Sequence, residues 1–435
     1  MKNFNTFQMV LIGVFAVFAV VGLLVFATYR GGSDATQNVG SVTIWGTIDE
    51  RIMRDVIGRI RGARKGFGGV EYIEKDPRTY ERDLVNALAS GTGPDLFFLS
   101  EDGVLVHKDK VTVIRYDNYS ERTFKDTFIE EGELYLTTDG ILGLPFLVDP
   151  MVMYWNRNIF SGKGIASPPR YWDELFDFVP RVTERDQASN IVKSAVALGE
   201  FRNIRHAKAI FSTLLMQAGN PIVAQAERGL VSELSSSLGF ATRPAEAALR
   251  FYTEFSNPVK SVYSWNRALP GSRESFLAGD LAIYFGFASE YQFLRDANPN
   301  LNFDMAPMPQ SRDSNIQTTF GDMEALAISR TSDNIVGAFS AAIIFTDREA
   351  IADVSEGVGL PPVRRDLLSV KPVDAIGSVL YGAALMSRGW LDPNPEESTA
   401  MFQRMVESAI SGRATLQDAV STAHQELSNL LRGTN

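Results

Sequence analysis

Apolar positions along this chain fall into three patterns, and each predicts a different kind of element. The first is an unbroken run, Met9 to Ala27 (MVLIGVFAVFAVVGLLVFA), which carries no charge. At helical rise it covers roughly 28 Å, close to the ~30 Å hydrocarbon core of a bilayer, so it predicts a membrane-spanning helix. A cleaved signal peptide has a shorter apolar region and a small-x-small exit. The exit here reads Val25-Phe26-Ala27-Thr28-Tyr29-Arg30, so the helix is expected to stay attached. Residues 1–8 are then a short leading segment and 9–27 the anchor. Residues 28–40, ending in GGSDATQNVG, are a flexible tether.

The second pattern is a short apolar run followed by a helical stripe, repeated. Val42-Thr43-Ile44-Trp45 reads as a strand ended by Gly46, after which Ile52, Val56, Ile57 and Ile60 share one helical face. Val70-Glu71-Tyr72-Ile73 is the next strand, and Tyr80, Leu84, Ala87 and Leu88 form the next stripe, stopped at Gly91. Leu96-Phe97-Phe98-Leu99 is apolar throughout, as in a central parallel strand covered on both faces. Such alternation predicts an α/β sheet with right-handed crossovers. The third pattern follows Gly143-Leu144-Pro145 and has longer helices. One is predicted from Ile204 to Ala218, with Ala207, Ile210, Phe211, Leu214 and Leu215 on one face and a stop at Gly219-Asn220-Pro221. From Ile335 onward the chain reads as mostly helical.

Composition narrows the chemistry. A net charge of -10 argues against nucleic acid or anionic lipid as the main partner. With no cysteine there are no disulfides, thiolate metal sites or cysteine nucleophiles. His107, His206 and His424 stand far apart and in no metal-binding spacing, so neither a metal, a cofactor nor a catalytic triad is expected.

In an open α/β sheet, ligands sit outside the carboxyl ends of the strands. Those exits are Gly46-Thr47-Ile48-Asp49, Ser100-Glu101-Asp102-Gly103 and Val148-Asp149-Pro150. They offer Thr47, Asp49, Ser100, Glu101, Asp102 and Asp149 as candidate contacts. Convergent carboxylates suit the hydroxyls of a neutral polyol, an amine or a chelated metal; each alone better suits a helix cap or a turn. Trp45, at the end of the first strand, and Trp265, in Tyr263-Ser264-Trp265-Asn266-Arg267, are either ring-stacking faces or packing. Arg364, after Pro361-Pro362, is either a cleft cation or half of a surface ion pair. Trp155 and Trp172 read as core.

Ordered landmarks from Ser41 to the C-terminus give a resemblance. Val42-Thr43-Ile44-Trp45 looks like an opening strand and Ala89-Ser90-Gly91-Thr92-Gly93-Pro94-Asp95-Leu96 like a small-x-Gly-x-x-Pro-Asp-apolar segment. Gly143-Leu144-Pro145-Phe146 with Met153-Tyr154-Trp155-Asn156-Arg157 looks like a lobe crossing. Pro169 with Trp172-Asp173-Glu174-Leu175 looks like a Pro-x-x-Trp-x-Glu-Leu helix start. Phe276 to Ile283, Ala306-Pro307-Met308-Pro309, Gly321 with Ala327-Ile328-Ser329, and Leu360 to Arg364 follow in order. Together they resemble the extracellular solute-binding proteins of ATP-binding-cassette importers, in the family that includes maltose-binding protein.

That resemblance implies a two-lobed, periplasmic-binding-protein-like α/β fold with hinge-crossing strands. It places residues 41–146 and 286–322 in an N-terminal lobe and 147–285 and 323–435 in a C-terminal lobe, with crossings near Phe146, Phe285 and Met323. Asp49 and Asp102 match polar ligand contacts, and Asp149 stands where the family commonly has glutamate. Leu99 replaces one stacking aromatic, and Phe287-Ala288-Ser289 replaces a tryptophan, which leaves Phe287 and Ser289 as candidates. Asp322, at the third crossing, completes the set. The implied function is capture of a small polar solute, with carbohydrate the expected class, outside the cytoplasmic membrane and its delivery to the permease of an importer. Polyamines, other cations and metal chelates stay open as ligands. Two other readings are a binding lobe kept as a sensor or scaffold without transport, and a glycosidase using two of Asp49, Asp102, Asp149 and Asp322.

Overall fold

Strands β1 (Val42–Gly46), β2 (Val70–Glu74) and β3 (Leu96–Ser100) run parallel, with the helices Glu50–Ala63 and Tyr80–Ser90 between them. The second helix ends at Gly91, whose φ of 70° is the left-handed cap that its glycine was read to supply. Next come β4 (Leu144–Asn156), β5 (Glu184–Arg185), β6 (Ile191–Val196), β7 (Val223–Ala226) and β8 (Gly229–Ser232). β9 (Leu281–Phe287), β10 (Phe303–Pro307), β11 (Thr319–Ile328) and β12 (Ser387–Arg388) complete the strands. One sheet has the order β2-β1-β3-β11-β4-β9-β6-β5, with β10 also paired to β4 and β12 to β11, while β7 and β8 form a separate hairpin. This computed structural model describes residues 39–227, 229–312, 316–370 and 372–433.

Two hydrophobic cores lie on either side of the middle of that sheet. One gathers residues between Val39 and Val148 with Met323 to Leu368 and Ala384. The other gathers Met151 to Phe320 with Ala383 and Trp390 to Leu431. The chain is therefore a two-lobed α/β protein. Long strand β4 passes between cores at Asp149-Pro150, and β11 passes back at Gly321-Asp322. The third passage is the end of helix Ala375–Met386, leading into β12.

This anatomy corrects the expected segment boundaries. β9 pairs with β6 and, on β4, only with Met151 to Trp155, the part beyond the crossing, so Phe285 lies inside the C-terminal core and no passage occurs there. Leu294 and Met305, expected in the N-terminal lobe, share that core, whereas Ala338 to Leu368 belong to the N-terminal one. The folded body also begins earlier than Ser41. Val39 is buried, its N–H donates to the Gly66 carbonyl at 3.0 Å, and Asn334 Nδ2 donates to its carbonyl at 2.9 Å. The anchor expected at 9–27 and the tether up to residue 38 lie outside the described residues; among those described, no helix is long and apolar enough to cross a membrane.

Candidate functional site

Strand alternation builds the floor of a cleft where β4 and β11 cross. Asp149 on β4 stands directly opposite Asp322 on β11, and Glu324, two residues on, lies on the same face. Glu324 is also opposite Ser100 on β3, which ties this floor to the strand exits of the N-terminal lobe. Like charges directly opposite one another are unfavourable, and burial between two lobes makes them more so. Burial pushes Asp149 up to about 7, although the Ser289 N–H donates to its Oδ1 at 3.0 Å and holds it down in part. Burial likewise pushes Glu324 up to about 8, with Asp322 adding repulsion and the Thr47 hydroxyl opposing it. Asp322 is accessible to water at the bottom of the cleft yet flanked on both sides, and burial raises it too.

The two walls differ in charge. Asp102 comes from the N-terminal lobe, in the short turn after β3, and burial pushes it up to about 6. The positive field that opposes this shift is that of Lys208, which belongs to the other lobe and also acts on Asp322. Lys208 and His206 stand at the start of helix Ala207–Gln217. Cations at a helix N-terminus oppose its dipole, and here they are held by acids instead. His206 Nε2 lies 2.6 Å from Glu290 Oε1, and its ring meets Phe287 edge-on at 4.8 Å. Glu290 also accepts from the Tyr284 hydroxyl at 2.8 Å and from the Phe287 N–H at 3.2 Å, which fixes the end of β9. Lys208 pairs with the fully buried Asp392, itself bonded by the Ser398 hydroxyl at 2.6 Å. Trp45 closes the N-terminal side, half-buried, with the Lys75 ammonium 3.5 Å above its ring.

Of the residues singled out in the sequence, Thr47, Asp102, Asp149 and Asp322 converge on this floor, and Phe287 and Ser289 border it. Asp49 and Ser100 act as caps: Asp49 accepts from the Arg51 N–H and chelates its guanidinium, and Ser100 accepts from the Gly103 N–H. Three others have no place in this floor. Trp265 is 1% exposed inside the C-terminal core, so its ring has no face to offer. Arg364 donates to the Thr346 carbonyl and pairs with Asp366, a surface arrangement within the N-terminal lobe. Glu101 is 2% exposed and points behind the floor toward Gly389. His206, Lys208, Glu290, Glu324 and Asp392 were not singled out; two basic residues opening an otherwise apolar helix were the available signal.

A cavity of about 800 Å³ lies apart from these carboxylates, between Tyr116, Glu130, Asn220, Arg388 and Trp390. Its acids are already engaged, Glu121 and Glu133 by Lys125 and Glu130 by Arg388, so the carboxylate-floored cleft is the candidate site.

A sequence profile described as "bacterial extracellular solute-binding protein" matches residues 62–375. The chain belongs to that family. Its relatives are binding proteins rather than enzymes, which removes the glycosidase reading. A putative binding protein of Brucella abortus (strain 2308) is 31% identical over 93 residues, 21% of this chain and 23% of that protein. The match thus spans about a quarter of that relative's length. Among solved structures, a cyclic alpha-maltosyl-1,6-maltose binding protein from Arthrobacter globiformis superposes with a TM-score of 0.72 at 16% identity, covering 90% of this chain and 99% of that one. A cyclo/maltodextrin-binding protein complexed with maltotetraose gives 0.71 at 15% identity, covering 92% and 98%. A solute-binding protein from Thermotoga lettingae bound with alpha-D-tagatose gives 0.64 at 20% identity, covering 90% and 100%. At these identities the likeness is one of fold, and this solute-binding protein shares its two lobes and crossing strands with them.

Proposed function

We propose that this solute-binding protein captures a small carbohydrate between its lobes and delivers it to an ATP-binding-cassette importer, held near the permease by a helix at residues 9–27. The observation that carries the reading is the convergence of Asp102 and Glu324 from the N-terminal lobe with Asp149 and Asp322 on the crossing strands, beside Lys208 of the other lobe. Carboxylates accept hydrogen bonds from sugar hydroxyls, and a nearby ammonium donates to hydroxyl and ring oxygens. The Phe287 ring and the accessible part of Trp45 supply apolar surface for the C–H face of a sugar. A tether of about a dozen residues would keep the lobes within a few tens of ångströms of the membrane, which raises their effective concentration at a permease.

The reading is tested by calorimetric titration of the full-length chain in detergent with a panel of maltodextrins, tagatose and mannotriose. One or more of these is expected to bind and to be recovered chemically unchanged. Asp149→Ala and Asp102→Ala are each expected to weaken that binding by at least tenfold, since each removes a charged acceptor worth about 1.5–3 kcal/mol, while leaving the melting transition cooperative. Tight binding of polyamines with no response to any saccharide would replace carbohydrate by cation as the solute class.

A further inference from the structure

Four buried oxygens behind the cleft floor have no part in holding a solute. Glu101 Oε2, both carboxyl oxygens of Glu131 and Ser387 Oγ are buried without a conventional hydrogen-bond partner. Glu101 leaves the end of β3, and Glu131 lies in the 3-10 turn Glu130–Tyr135; both belong to the N-terminal lobe. Their carboxyl groups stand within hydrogen-bonding reach of each other. Ionised carboxylates carry no donor, so two of them at that separation are joined only if a proton lies between. What they press against is the hinge itself. A methyl group at Gly321, on β11 and facing away from the Asp322 side, would strike the Glu131 carboxyl and Ser387 Oγ; one at Gly389 would strike Glu101. Gly321 and Ser387 stand on two of the three segments that pass between lobes.

The charged and titratable groups facing the pair are Asp102 next to Glu101, Asp322 and Glu324 on β11, Tyr135 on the turn, and Arg388 on β12. Arg388 is already engaged by Glu130. Acids therefore dominate these surroundings.

We propose that Glu101 and Glu131 share one proton at the back of the hinge, and that this proton holds the lobes in the arrangement seen here. With it, the pair carries one negative charge and supplies its own donor. Without it, two anions are shut in beside Asp102 and Asp322, and the way to hydrate them is a rotation that lifts Gly321 and Ser387–Gly389 off the two side chains. Losing the proton therefore shifts the population toward a more open hinge. Burial pushes Glu131 up to about 7 and Glu101 well above the ordinary carboxylate range, so the pair holds a single proton just above neutral pH and gives it up only in more alkaline solution. The inference rests on the two-lobed fold and not on the identity of the solute.

The native chain has no cysteine, so a spin-label pair can be introduced without removing any. Arg82→Cys and Gln292→Cys place one label on an exposed helix position of each lobe. Pulsed dipolar spectroscopy on the full-length chain in detergent, without solute, then reads the interlobe distance. The parent pair is expected to shift to longer, broader distances between pH 7 and pH 10. Glu131→Gln, whose amide donates to Glu101 without ionising, is expected to keep the pH 7 distribution at both, and Glu101→Gln to do the same. No shift in the parent, or an equal shift in a variant, overturns the proposal. If neither variant folds, infrared titration decides in a chain whose cleft acids are replaced, Asp102→Asn, Asp149→Asn, Asp322→Asn and Glu324→Gln: a protonated carboxyl band present at pH 7 and lost by pH 10 supports the shared proton, and its absence at pH 7 overturns it. Calcium restoring the pH 7 distribution in the parent at pH 10 but not in Glu131→Gln would also overturn it, by assigning the same oxygens to a metal.

Discussion

Single residues at the crossings are constrained by what lies within a methyl group of them. Gly321 sits on β11 with the Glu131 carboxyl and Ser387 Oγ occupying the space that a Cβ would need, and its backbone is held in register opposite Pro150. Neither carboxyl nor strand has room to move, so Gly321→Ala is expected to destabilise the protein by at least about 1–3 kcal/mol, as overpacking of a filled interior does. Urea denaturation measures it, and a midpoint unchanged from the parent would refute the crowding. Trp265 teaches the complementary lesson. Its neighbours Tyr263, Ser264, Asn266 and Arg267 made it read as part of a polar loop, but Ser264 spends its hydroxyl on the Val196 carbonyl and the Trp265 backbone N–H donates to the Phe255 carbonyl. The segment is polar because it ties loops together under the C-terminal core. Sequence shows polarity without showing which partner uses it.

Elements were more legible than their assignment to lobes. The strands β1 to β3 and their helices follow directly from runs and stripes, because each is a local pattern closed by a local stop such as Gly91 or Gly219. The passages between lobes are not local. They depend on β4 being long enough to serve two cores and on β9 pairing with its far half, which no stripe in the sequence encodes. Helix Ala207–Gln217 shows the same division. Its apolar face and its end were readable, but not why it opens with His206 and Lys208. That start is stabilised by acids brought from Glu290 and from the distant Asp392, which is fully buried. Lys208→Ala leaves the Asp392 charge with only the Ser398 hydroxyl and the Asn394 N–H as donors. Stripping one partner from a buried pair costs about 3–5 kcal/mol, and the remaining donors put this case at the lower end. Lys208→Met with Asp392→Asn is expected to recover much of the loss in the same urea experiment. A single-variant cost below about 1 kcal/mol would mean that water, not Lys208, solvates Asp392.

For the whole molecule, the acids of the cleft set a pH dependence whose sign is opposite to that of an ordinary acidic protein. Asp102, Asp149 and Glu324 are pushed up to about 6, 7 and 8, from ordinary values of 3.8, 3.8 and 4.5. The folded state therefore holds these protons after the unfolded chain has released them. Below pH 4 both states are protonated and the groups cost nothing. As pH climbs from there through 8, the folded state must ionise carboxyls that burial disfavours, and stability is lost throughout that window. Asp49 and Asp76 work the other way. Their arginine neighbours hold them at about 2, so the stability they add disappears only in stronger acid, and as exposed surface pairs they add little. A tenfold difference in proton affinity between folded and unfolded states is worth about 1.4 kcal/mol, so a tenfold difference at each of three cleft acids already removes about 4 kcal/mol. That is a large part of the roughly 5–15 kcal/mol typical of folded proteins. The solute-free protein is accordingly expected to melt highest near pH 5 and several degrees lower at pH 8. Asp149→Asn, which removes one of the opposed charges without emptying the site, should narrow that difference. Scanning calorimetry across the range measures both. A protein that melts at least as high at pH 8 as at pH 5 would show that the cleft carboxylates are hydrated well enough to ionise freely, and that the crossing strands do not crowd them into mutual repulsion.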